Sequence, residues 1–151
     1  MKKIKLQNNL IVPVFNFLTE VKLSANKASR GRTQFLKRLE EKSKEFNEAA
    51  TDIRKEYFKV NDEGDLLVVD GEYQFKDPEM KAVQDVALTK KLTELGEETF
   101  EIHFGEYSTK YEALFSALEH LEAELSGSDA LAYNELMDAY EANEDKTEEE
   151  K

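Results

Sequence analysis

FLKRLEEKSKEFNEAATDIRKEYF, residues 35–58, has the spacing of a helix that lies along a partner. Leu36, Leu39, Ser43, Phe46, Ala50, Ile53 and Tyr57 recur at alternating steps of 3 and 4, which keeps one narrow stripe on one side of the helix. A second seam of the same period runs through Tyr107, Tyr111, Leu114, Leu118, Leu121 and Leu125. Two matching seams in one chain predict an antiparallel helix pair closed within that chain, and hence a monomer. Association in trans, giving a dimer, is the alternative.

The flanking segments supply smaller elements. Ile4 and Leu6 alternate with polar residues and predict a short strand. Leu10, Val14, Phe17, Leu18, Val21 and Ala25 form one apolar helix face, with Pro13 in the first turn, where a missing N–H costs little. Gly31 is expected to interrupt or bend the chain, so the long helix is placed from about Thr33 to Tyr57. LLVV and EYQF flank Asp70-Gly71, a dipeptide suited to a two-residue hairpin turn. Asp77-Pro78 opens a helix to about Leu95, and the alternation of Phe100, Ile102 and Phe104 predicts another strand. Ser126 to Asp129 separates the second seam from a last helix whose buried face holds Tyr133, Leu136, Met137 and Tyr140. The expectation is an α+β fold, mainly α, in one domain over residues 1–142. A polar acidic tail over 143–151, without apolar anchors, is expected to be disordered.

Composition narrows the function classes. With 151 residues and 40% hydrophobic content the chain can bury one modest core. Zero cysteines exclude disulfides and thiolate chemistry, so nothing points to an oxidising compartment. The lysine-rich start resembles a secretory signal, but Asn8, Asn9, Pro13 and Asn16 break its apolar stretch, and no apolar run reaches the roughly 20 residues of a membrane helix. A soluble, unprocessed cytoplasmic protein is expected. The net charge of −12 is unevenly spread: residues 1–60 carry 14 Lys or Arg against 7 Asp or Glu, and residues 61–151 carry 7 against 26.

No catalytic pattern emerges. The two histidines, His103 and His120, lack a ligand-spaced neighbour, and Glu119, His120, Glu122 and Glu124 do not share a helix face. The acidic NDEGD loop fails the spacing of a calcium loop, and the six glycines make no phosphate-binding motif. Neither a metal nor a cofactor is expected. Between Lys22 and Leu39 the chain has six cations and no carboxylate. Lys27, Arg30, Arg32, Lys37 and Arg38 therefore form a candidate basic patch, although the overall charge disfavours nucleic acid as its ligand. The opposite candidate is an acidic surface around Glu119, Glu122 and Glu135, suited to a basic protein partner.

The segments KLSANKASRGRTQFLKRLEEK and ALEHLEAELSGSDALAYNELMDAYE, together with the lysine-rich opening and the Asp70-Gly71 hairpin, resemble a family of small phage and prophage proteins of Gram-positive bacteria, domain of unknown function 1617. The resemblance brings no catalytic residues. It implies a phage-encoded accessory protein made in the bacterial host cytoplasm. Such a protein would be an inhibitor of a host defence system or, alternatively, a structural, assembly or lysis-module component, with an enzyme as the third reading.

Overall fold

A computed structural model describes the backbone of residues 2–149 and the side chains of residues 2–143. The described chain is mainly helical with small antiparallel β pairs, the α+β class expected. Where the sequence suggests one domain, contacts divide the chain into two compact units: residues 1–43 with 99–151, and residues 44–98.

In the first unit, β1 (Lys3–Gln7) pairs antiparallel with β4 (Thr99–His103), with Ile4 opposite Ile102 and Leu6 opposite Phe100. These four side chains are buried, so the alternation in both strands puts one face on the core and leaves the other to Lys3, Lys5 and Glu101. Lys3 Nζ donates to Glu101 Oε1 at 3.0 Å, and this bond holds the Glu101 carboxyl below its ordinary pKa. The favourable term is therefore present above the ordinary carboxylate pKa and is lost as pH falls through the lowered one.

Helix α1 (Ile11–Glu20) buries Ile11, Val14, Phe17 and Leu18 and packs on α5 (Gly127–Glu149). It stops five residues short of the expected Ala25. Val21 is extended, and its carbonyl accepts a hydrogen bond from the Arg32 guanidinium instead of continuing the helix.

The long helix α2 spans Asn26–Tyr57, starting before Gly31 and passing through it without the expected interruption. Gly31 is there for contact. A Cβ on it would lie 2.2 Å from the carbonyl oxygen of Lys110 in α4 (Ser108–Glu119). In this unit α2 buries Ala28, Gly31, Phe35 and Leu39, so the stripe is led by Phe35 rather than Leu36. Phe35 meets Tyr111 and Phe115 edge-on at ring-centre distances of 5.8 and 6.0 Å. Phe115 stacks on Tyr140 of α5 at 4.4 Å, and Phe104 joins Tyr111 at 5.1 Å.

The full-length pairing of the two seams does not form. Helix α4 has 12 residues and α2 has 32, or about 18 Å against about 48 Å at ~1.5 Å per residue. Helix α4 ends before Leu121 and Leu125 because side chains satisfy its last carbonyls: the Tyr133 hydroxyl donates to Leu118 at 2.8 Å and His120 Nδ1 to Ser116 at 2.8 Å. Residues of α2 from Lys44 onward belong to the second unit.

That second unit holds the end of α2, a hairpin of β2 (Val68–Val69) and β3 (Glu72–Tyr73), and α3 (Lys81–Glu97). Asp70 and Gly71 both have positive φ, 52° and 80°, as a two-residue turn of this hand requires. Phe58, just past α2, lies against Tyr73 and Phe75 and bridges to Phe75 through the backbone. Asp77 caps the turn at Pro78 by accepting from the Glu79 N–H. Helix α3 buries only Leu88 and Gly96, while Val83 and Val86 stay 60% and 70% exposed.

Helix α5 is described to Glu149, past the end of its apolar face. Of the tail expected over 143–151, Asn143 is buried, and the side chains beyond it lie outside the described residues. Asn143 continues the spacing of Leu136 and Tyr140 and bonds both backbone groups of Lys3: its Oδ1 accepts from the N–H at 3.1 Å and its Nδ2 donates to the carbonyl. Asn143→Ala should cost about 1–3 kcal/mol in urea unfolding, because it strands two backbone groups of β1. An unchanged midpoint would show that this anchor contributes nothing.

Candidate functional site

Among the described residues no group of three or more His, Cys, Asp or Glu side chains is placed to hold a metal ion. His120 spends one ring nitrogen on the end of α4, and the exposed His103 faces Glu101 at 3.3 Å across the solvent side of β4. The Tyr111 hydroxyl is buried beside the aromatic cluster, with the Arg38 guanidinium nearby but outside close hydrogen-bond geometry; burial pushes its pKa up, and Arg38 opposes that shift.

The structure does not bring the three acidic candidates together. Glu119 is the exposed last residue of α4. Glu122 lies in the connection after it and lines an open groove of about 710 Å³, bordered by Lys22 to Ala25 on one side and by Ala113, Ser116 and Ala117 of α4 on the other. Glu135 belongs to α5 and lines a different groove of about 540 Å³, with Lys5, Leu6, Gln7, Leu10, Thr99, Leu131, Asp138 and Ala139. The acidic surface is thus two surfaces, each with its own apolar floor. Leu131, 54% exposed, gives the second groove an apolar contact, and Asp138 gives it a second carboxylate.

The basic candidates also separate by role. Lys27, Arg30 and Lys37 are exposed on α2, and their spacing of 3 and 7 puts them on one helix face. Arg32 is half-buried and structural, tying the α1–α2 connection through the Val21 carbonyl and the Ser29 hydroxyl. Arg38 pairs with Glu41 at 3.1 Å and lies over the Tyr107 ring at 6.0 Å, and the bond to Glu41 raises its pKa further. Only three of the five cations are therefore presented together on one face without a structural tie.

Sequence reasoning missed Asp138 and the backbone of Lys5 in the second groove. Asp138 stands three residues after Glu135 and seven after Leu131, a helical spacing visible in the sequence. The direction of the Lys5 backbone depends on the pairing register of β1 with β4, which no residue pattern discloses.

The division of the basic patch is testable by thermal unfolding. Arg32→Ala should lower stability by about 1–3 kcal/mol, since it removes a charged donor from a helix-connection carbonyl. Arg30→Ala and Lys37→Ala should each stay within about 0.5 kcal/mol of the parent. Equal losses at all three positions would contradict the assignment.

No curated protein and no solved structure matches the chain. A family model described as "Protein of unknown function (DUF1617)" matches residues 2–148. With nearly its whole length inside that match, the chain belongs to the domain of unknown function 1617 family.

Proposed function

We propose that this protein acts by binding a basic surface of another protein, without catalysis, as a phage-encoded accessory factor that inhibits a host defence system. The observation that supports this reading is the state of its carboxylates. Among the described residues Glu119, Glu122 and Glu135 form no ion pair, and neither do the five carboxylates of residues 60–75, Asp62, Glu63, Asp65, Asp70 and Glu72. All eight are left to solvent or to a partner, in a chain of net charge −12. Such a field attracts a cationic surface over roughly a Debye length and raises the association rate more than the final affinity. The bacterial cytoplasm is the proposed setting, following the resemblance of its helical segments to phage and prophage proteins.

The test begins with capture from a bacterial lysate at low salt. Recovery of one host protein supports the inhibitor, and recovery of phage structural or lysis proteins instead would move the role to assembly or lysis. Reversing Glu119, Glu122 and Glu135 to Lys should then slow association with the captured partner by about tenfold at low salt, with the difference closing at high salt. A rate indifferent to charge and salt would reject the acidic-surface reading. So would tight binding of labelled DNA or RNA that disappears on neutralising Lys27, Arg30 and Lys37.

A further inference from the structure

The open edge of β1 is half finished. Phe104 N–H donates to the Lys2 carbonyl at 3.0 Å, which with the register Ile4 to Ile102 and Leu6 to Phe100 fixes the direction of every backbone group in the strand. Lys2, Ile4 and Leu6 turn their N–H and C=O groups to β4, so Lys3, Lys5 and Gln7 turn theirs away from it. At Lys3 this outward pair is taken by Asn143, whose side-chain amide presents one acceptor and one donor as a neighbouring peptide unit would. One amide spans one peptide unit, and the next outward pair, at Lys5, is bonded by no described group. That pair opens on the groove of about 540 Å³ whose far wall is α5, with Leu131, Glu135, Asp138 and Ala139.

We infer that this groove is a strand-addition site: an extended segment of a partner protein, carrying alternate basic side chains, pairs with the β1 edge at Lys5 and runs between β1 and α5. The extended shape follows from the unpaired N–H and C=O, which template only another strand. The charge follows from the wall. Glu135 and Asp138 set two carboxylates against the single ammonium of Lys5, and neither is in an ion pair; Asp138 only accepts from the neighbouring Asn134 amide at 3.3 Å. An apolar residue of the segment has Leu131 and Leu10 to cover. Asn143 sets where the added strand must stop. This inference rests on the protein–protein reading above and names the place and shape of the contact.

The test is a selection of displayed random eight-residue peptides on the intact protein. Enriched peptides should alternate basic and apolar residues, and saturating peptide should slow hydrogen exchange of the Lys5 amide. Lys5→Pro removes that outward N–H without removing a bond to β4, and should weaken binding at least tenfold, whereas Lys5→Ala, which keeps the amide and removes a competing cation, should bind at least as well as the parent. Should Lys5→Pro not fold, Glu135→Lys and the Lys5 exchange rate in the parent protein carry the decision. Peptides that leave Lys5 exchange unchanged, or that bind folded Lys5→Pro as well as the parent, overturn the strand-addition site. So does a concentration-dependent dimer that protects Lys5 without peptide, since the occupant would then be a second copy. Failure of the broader protein–protein reading shows separately, as the absence of salt-dependent capture from lysate.

Discussion

At Gly31 the backbone of α2 comes so close to the Lys110 carbonyl of α4 that no side chain fits between them. This contact sets the depth at which α2 lies on α4, and that depth lets Phe35 reach Tyr111 and Phe115 edge-on. Those rings connect in turn to Phe104 and, through Phe115, to Tyr140 on α5. Edge-on and offset ring pairs add about 0.5–1.5 kcal/mol each beyond the area they bury. The strand pair follows, because Phe104 directly succeeds β4 and Tyr140 stands one turn before Asn143, which holds β1. The groove at Lys5 is thus positioned by the same core that Gly31 admits.

The second unit is built differently. Its hairpin depends on turn chemistry at Asp70-Gly71 and on Phe58 beneath Tyr73 and Phe75, and its helix α3 keeps two valines in solvent. With so little apolar area removed from water, local opening there costs less than in the ring-filled first unit. The separation is consistent with the charge pattern: carboxylates crowd residues 60–75, where no dense core needs them excluded.

Elements governed by local chemistry were legible in the sequence. The alternation at Ile4 and Leu6, the Asp70-Gly71 turn, the Asp77-Pro78 cap and the apolar face of α5 all take the form their residues predict. Relations between elements were less legible. A seam of period 3.5 reports that a helix has an apolar side without naming its partner or the length of contact. Gly31 looked like a break because glycine lowers helix propensity by about 1 kcal/mol; a close crossing outweighs that preference, and such a crossing is a tertiary fact. Glu119, Glu122 and Glu135 share composition but not location, since sequence proximity at the end of α4 does not carry over to α5. Asn143 was legible in principle, as the polar member that extends the Leu136–Tyr140 spacing.

Replacing Gly31 by Ala and following urea unfolding tests the account at its centre, because two effects of opposite sign meet there. Helix propensity alone would make Gly31→Ala more stable by about 1 kcal/mol. The close crossing predicts a loss on the order of 2 kcal/mol instead, with a weaker near-ultraviolet signal from the displaced rings, because the new methyl group meets a backbone carbonyl that cannot swing aside. A Gly31→Ala protein as stable as the parent or more so, with its aromatic signal intact, would contradict the claim that this crossing organises the fold.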